Sequence, residues 1–146
     1  MKLRKATIGD LDTLTHLEDV VFDQYRYTRS QLKHLLTRAK ATTYVMEDGG
    51  EIAGWAIMLW KKSVKVGRLY SLGVRADYRR RGIANELLGR LEKDAKARGC
   101  DRVSLETQAS NADGRPFYSK RGYTVVETMQ GYFVDGADAV RMMKWL

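Results

Sequence analysis

The run Ser71-Leu-Gly-Val-Arg-Ala-Asp-Tyr-Arg-Arg-Arg-Gly-Ile-Ala-Asn-Glu-Leu-Leu88 holds the residues whose types and spacing most directly suggest chemistry. A strand-like stretch turns straight into a helix-like one through basic and small side chains. Such a turn leaves backbone N–H groups unpaired at the positive end of the helix dipole, so it forms an anion site before any side chain is counted. Gly82 lets a phosphate come close to the backbone, Ala84 is nearly as permissive, and Arg79, Arg80 and Arg81 add charge-assisted contacts with Ile83 between the small residues. A pyrophosphate suits this site. It is not the Walker arrangement, because no Gly-Lys-Ser/Thr follows, and it lacks the three spaced glycines of the dinucleotide fingerprint.

The elements that must carry this turn are legible on either side of it. Residues 82–98 predict an amphipathic helix lying on a sheet, with Ile83, Leu87, Leu91 and Ala95 four apart and Leu88 beside them. Upstream, Leu3–Thr7 predicts a strand, Asp10 caps a helix carrying Leu11, Leu14, Leu17 and Val21, and a second helix starts near Ser30 with Leu32, Leu35 and Leu36 inward. Thr42–Met46 and Ile52–Trp60 predict a hairpin across Glu47–Glu51, and Val64–Val74 a further strand interrupted at Gly67 and Gly73. Downstream come a strand over Arg102–Thr107, a short helix around Arg115–Lys120, and strands over Tyr123–Thr128 and Ala139–Trp145. The order β-α-α-β-β-β-α-β-α-β-β predicts an α/β (α+β) fold with a mixed sheet of six or seven strands and helices on both faces.

Composition narrows the class. The 146 residues, without repeats or linkers and with Pro116 the only proline, predict one domain spanning 1–146. No apolar run approaches the roughly 18 residues that span a bilayer, and no signal peptide follows the first residues, so the chain is expected in the cytoplasm and not in a membrane. Cys100 is the sole cysteine and lacks clustered partners, which excludes disulfide scaffolds and zinc ribbons; no metal is expected. The net charge of +8 lies entirely in the middle: residues 1–60 hold eight basic and eight acidic side chains, 61–102 thirteen and five, 103–146 five and five. That excess peaks in one short turn and not along a recognition helix, so nucleic acid is not the expected partner.

The segment Arg79-Arg80-Arg81-Gly82-Ile83-Ala84 after the strand ending at Val74 resembles the coenzyme A pyrophosphate loop of the GNAT acyltransferase superfamily, Gln/Arg-x-x-Gly-x-Gly/Ala. The element order matches the GNAT fold over essentially the whole chain. Leu105-Glu106-Thr-Gln-Ala-Ser-Asn111 followed by Phe117-Tyr118-Ser-Lys-Arg-Gly122-Tyr123 resembles the ribosomal-protein-alanine N-acetyltransferase subgroup, with its Asn-to-Tyr spacing kept. Gly131-Tyr132-Phe133-Val134-Asp135-Gly136-Ala137-Asp138-Ala139 is similar to the loop through which N-terminal acetyltransferases hold a peptide backbone. Asp113-Gly114-Arg115-Pro116 departs from the Ala-rich helix start of that subgroup, which predicts a late helix and an altered loop around Asn111.

The resemblance implies acetyl transfer from acetyl-coenzyme A to an amine, which needs a neutral amine, a stabilised carbonyl oxygen and a proton for the departing thiolate. It implies that Tyr118 is the acid that protonates the sulfur and Glu106 the base, acting directly or through water. A backbone N–H within Leu72-Gly73-Val74 would polarise the thioester, freed by a bulge at Gly73. Asn111 resembles a cofactor-bonding residue. Each role has a structural alternative: Tyr118 as a core aromatic beside Phe117, Glu106 as an ion-paired carboxylate, Asn111 as a helix cap. Tyr25, Tyr27 and Tyr132 are candidates for an acceptor groove, while His16 and His34 lie outside every motif. The expected acceptor is a peptide or protein N-terminal α-amine. The alternatives are a small-molecule amine or lysine acceptor and, from another class, a coenzyme A-binding or nucleic-acid-binding module without turnover.

Overall fold

A computed structural model describes residues 1–61 and 64–146. The chain runs β1 (Lys2–Lys5), α1 (Leu11–Phe22), α2 (Arg29–Thr37), β2 (Ala41–Asp48), β3 (Glu51–Trp60), β4 (Val66–Val74), α3 (Ile83–Ala97), β5 (Arg102–Gln108), α4 (Gly114–Lys120), β6 (Thr124–Met129) and β7 (Ala139–Trp145). The strands form one seven-stranded sheet in the order β1-β2-β3-β4-β5-β7-β6. Neighbours are antiparallel except β4 and β5, the one parallel pair, joined through α3.

Each helix sits where its apolar stripe is covered. Leu11, Leu14, Leu17, Leu32 and Leu35 of α1 and α2 bury against Val45, Trp55 and Ile57 on one face. Ile83, Leu87, Leu88, Leu91 and Ala95 of α3 bury against Tyr44, Ala56, Met58, Leu69, Val103 and Leu105 on the other. Period-2 alternation along β2 to β5 feeds both layers, so the central strands are buried on both sides.

Three local expectations are corrected. Asp10 precedes α1 without capping it: its carboxylate accepts the Thr7 N–H at 2.7 Å and forms a two-pronged bond with Arg4, Oδ2 to Nη1 and Oδ1 to Nη2, both 2.9 Å. The Arg4 guanidinium holds that carboxyl below the usual carboxylate range. The hairpin connection is only Gly49-Gly50, because β2 and β3 pair out to Asp48 and Glu51. In β4, the strand starts at Val66 and Gly67 pairs regularly, and the bulge lies at Tyr70: Ile57 faces Ser71 and Met58 faces Leu69. Tyr70 and Ser71 therefore both point toward α1 and α2.

Gly73 serves a different purpose from a bulge. It pairs regularly with Trp55, and a Cβ on it would stand 2.3 Å from the Trp55 ring. The indole occupies the side-chain space of residue 73.

Candidate active site

The parallel pairing of β4 and β5 runs from Val66 opposite Arg102 to Leu69 opposite Leu105 and stops there. Beyond that point β4 continues along β3 to Val74, and β5 continues along β7 to Gln108. The two strands splay and open a cleft of about 860 Å³ through the sheet. Arg75 donates its N–H to Ala53 on β3, so alternation along the strand aims the N–H groups of Leu72 and Val74 at the cleft. The expected bulge at Gly73 is not the source of the free donors. The splay is, and the donors belong to Leu72 and Val74.

At one end of the cleft stands the N-terminus of α3. Gly82 precedes the helix at φ 77°, a left-handed conformation that a β-branched residue resists, and nothing lies within 4 Å of where its Cβ would be. The first backbone bond of the helix is from Glu86 N–H to the Gly82 carbonyl, 3.1 Å. The N–H groups of Ile83, Ala84 and Asn85 therefore have no carbonyl partner among the described residues, and they face the cleft with Gly82, Arg79 and Arg80. Arg81 is not on the cleft wall; its guanidinium lies 4.9 Å from the centre of the Tyr78 ring.

Tyr118 and Glu106 flank the split on opposite faces of the sheet. Tyr118, on α4, packs edge-on against Phe117 and Tyr123 with ring centres 5.3 and 5.8 Å apart, in the layer under α3. It thus joins the aromatic cluster and lines the cleft at once. Burial pushes its phenol up to about 12, and the hydroxyl has no protein partner among the described residues. Glu106 points the other way. Its Oε1 lies 2.7 Å from Arg68 and 3.7 Å from Arg141, and its side chain is 8% exposed. The carboxylate is ion-paired through one oxygen, and it also lines the cleft.

Asn111 caps α4. Its Oδ1 accepts the Gly114 N–H at 2.9 Å and its Nδ2 donates to Thr107 Oγ1 at 2.8 Å, while the residue borders the cleft. The sequence Asp113-Gly114 permits this, because a Cβ at 114 would collide with the Asn111 amide at 2.3 Å.

The far end of the cleft is aromatic. Tyr27 lines it and stacks on Tyr70 at 4.9 Å with an interplanar angle of 8°. Burial raises the Tyr27 phenol above its ordinary value. Tyr25 and Phe133 line the wall too, their rings edge-on at 5.3 Å, and the Tyr25 hydroxyl donates to Asp135. The segment after α1 and the β6–β7 loop thus meet across the opening. Tyr132 does not reach the wall; it is 43% exposed and accepts a 3.4 Å bond from Arg68.

Sequence reasoning missed Glu18. This α1 residue has 0% exposure, lies on the cleft wall and accepts bonds from β3, from β4 and from the connection before α2. The signal was present: a carboxylate stands inside the apolar stripe, four residues after Leu14 and three before Val21. Cys100 lies in the connection between α3 and β5, its thiol raised by burial, outside the cleft. Among the described residues no helix is long and apolar enough to cross a membrane.

Residues 9–123 match the profile of the acetyltransferase (GNAT) family. The N-alpha-acetyltransferase of Sulfurisphaera tokodaii is 28% identical over 97% of this chain and 90% of its own length. Among solved structures, the ribosomal-protein-S18-alanine N-acetyltransferase of Escherichia coli superposes with a TM-score of 0.87 at 22% identity, covering 99% of this chain and 92% of the other. Arabidopsis thaliana NAA60 in complex with acetyl-CoA gives 0.87 at 18% identity, covering 99% and 98%. A split parallel pair, an open helix N-terminus beneath an Arg-x-x-Gly-x-Ala turn and a family match across the same residues lead to one conclusion: the chain belongs to the acetyltransferase (GNAT) family.

Proposed function

We propose that residues 1–146 act as one cytoplasmic acetyltransferase domain that moves the acetyl group of acetyl-coenzyme A to the α-amine of a peptide or protein N-terminus. The observation that carries this reading is the splay after Leu69 and Leu105, because it opens a single passage with free helix N–H groups and arginines at one end and aromatic and carboxylate side chains at the other. The pyrophosphate would lie on the N–H groups of Ile83, Ala84 and Asn85, with Arg79 and Arg80 against its charge. Arg81 would act at longer range. The pantetheine arm would then run along the unpaired edge of β4.

The amine enters from the face of Glu106. An α-amine titrates near 7.7–8.0, so about a quarter is already neutral at pH 7.4, whereas a lysine near 10.4 is neutral to about one part in a thousand. Glu106 takes the remaining proton, directly or through water, on the oxygen that Arg68 does not hold. The amine nitrogen attacks the thioester carbonyl carbon, and the C=O electron pair moves onto oxygen, where the Leu72 and Val74 N–H groups receive it. Collapse breaks the C–S bond, and the Tyr118 phenol, kept protonated by its burial, donates to the leaving sulfur. The attacking nitrogen, which carries one proton more than the amide, loses it to solvent, and the proton that Glu106 removed returns Tyr118 to its starting state, so one ammonium yields one amide, one thiol and one released proton. Tyr25 and Tyr27 wall the acceptor; Tyr132 would touch only residues beyond the first.

The relative named an N-alpha-acetyltransferase favours the N-terminal acceptor over a small amine. Incubation with acetyl-coenzyme A and short peptides differing at residue one, read by mass spectrometry and by thiol release, tests it. N-acetylated peptides and stoichiometric free thiol are expected. Equal or faster acetylation of N-terminally blocked, lysine-containing peptides or of a polyamine overturns the N-terminal assignment, and thiol release from no amine overturns the enzymatic one.

A further inference from the structure

Glu18 lies on the cleft wall, is fully buried and takes no part in the scheme above. Its Oε1 accepts the Tyr27 backbone N–H at 3.0 Å, and its Oε2 accepts the Trp55 indole N–H at 2.8 Å and the Ser71 hydroxyl at 2.5 Å. These donors come from the segment that carries Tyr25 and Tyr27, from β3 and from the β4 residue next to the bulge. Three convergent donors need two acceptor oxygens, which explains a carboxyl group where an amide would offer one. They do not explain the charge. All three donors are neutral, and Glu18 forms no ion pair with Lys, Arg or His among the described residues. Glu106, on the same cleft, is by contrast held by Arg68.

A buried carboxylate without a countercharge is costly, and a cation reaching its cleft relieves that cost. The acceptor proposed above supplies one, since at pH 7 roughly nine-tenths of an α-amine is ammonium. We propose that Glu18 is a positioning residue for the acceptor: its buried charge favours the incoming ammonium, and its three bonds fix the acceptor wall against the strand that receives the thioester. The bond to Tyr27 anchors the wall, and Trp55 passes the same constraint to Gly73, whose side-chain space its ring fills. This inference rests on an amine acceptor and names the group that recognises its charge.

The test is a binding cycle at pH 7 on protein saturated with coenzyme A, which carries no acetyl group. A short peptide and its analogue lacking only the N-terminal amine are titrated by calorimetry. The wild-type chain should prefer the amine by roughly tenfold or more, and Glu18→Gln should shrink that preference about fivefold while keeping the thermal shift given by coenzyme A. Ser71→Ala removes a neutral donor and leaves the carboxylate more dependent on the ammonium, so it should widen the preference about threefold. A purely structural role would move neither ratio.

A wild-type preference below about threefold, or an unchanged ratio in folded Glu18→Gln, overturns the proposal. If Glu18→Gln does not fold, Ser71→Ala decides: a widened ratio supports the role, and an unchanged or narrowed one overturns it. Acetylation of N-terminal peptides alongside an unchanged ratio removes Glu18 alone. Absence of acetylation removes the acceptor reading itself.

Discussion

The two ends of the cleft are built by different means. The proposed coenzyme end comes from one unbroken run, Leu72 to Asn85, and would bind mainly through backbone N–H groups that a strand edge and a helix start leave free. The proposed acceptor end gathers Glu18, Tyr25, Tyr27, Tyr70, Glu106 and Phe133 from five separated stretches and would bind through side chains. Backbone recognition tolerates much sequence change provided the conformation is kept. Side-chain recognition depends on tertiary placement and can be retuned residue by residue, which suits an end that selects among amines.

The sharpest way to break this division is at the group that serves both ends. Tyr118→Phe should leave the affinity for acetyl-coenzyme A and the acceptor KM near wild type while lowering turnover roughly 10²-fold or more, the scale for losing a positioned proton donor. With the phenol raised to about 12, the wild-type rate should show no falling alkaline limb between pH 9 and 11, where a phenol at its ordinary value near 10 would impose one. Unchanged turnover in a folded Tyr118→Phe chain would leave Tyr118 as a member of the aromatic cluster only.

Gly82→Val addresses the coenzyme end alone. A β-branched residue at φ 77° is strained, and its side chain stands where the phosphates would meet the backbone. At coenzyme A a hundredfold above Kd the wild-type chain should gain about 2.7 kcal/mol in stability. The variant should lose that gain and part of its own stability. A full ligand-induced thermal shift in Gly82→Val would move the coenzyme site elsewhere.

The same division explains what the sequence did and did not disclose. The turn and α3 were readable because helical spacing, a glycine and the arginines lie within one window. Gly73 misled because a glycine in a strand signals either a bulge or a close neighbour, and only the fold brings the Trp55 ring onto it. Tyr70, the actual bulge, carries no such mark. Glu18 was hidden because two of its donors lie 37 and 53 residues away, so nothing local showed that a charge in an apolar stripe was satisfied. Asn111 was undecided between cap and ligand; its side-chain bonds to Thr107 and Gly114 are local while the residue also borders the cleft, so both roles fit the fold.

Glu106→Gln probes the acceptor end. With the base removed, turnover should fall roughly tenfold at pH 7 and recover in part toward pH 9, as the free amine forms unaided. The coenzyme-induced thermal shift should persist. A pH-independent loss would mean that Glu106, through Arg68, shapes the site and moves no proton.

The smallest expected effect is the most discriminating for the separation of the two ends. Tyr25 and Asp135 join the segment after α1 to the β6–β7 loop by a solvent-exposed hydrogen bond, which lowers the Asp135 carboxyl and raises the Tyr25 phenol from their ordinary values. The donor is protonated and the acceptor ionised across the neutral range, so the link persists there. Tyr25→Phe removes this bond and leaves the 3.3 Å bond from Gln24 Nε2 to Asp135 and the edge-on ring contact with Phe133. Exposed bonds contribute little to stability, so the melting temperature should hold. The acceptor KM should rise about two- to threefold, because the wall becomes less ordered before the peptide arrives. The KM for acetyl-coenzyme A should not change, since no residue of the 72–85 run touches this link. If both KM values rise together, the loops and the split move as one unit, and the two ends are not independently built.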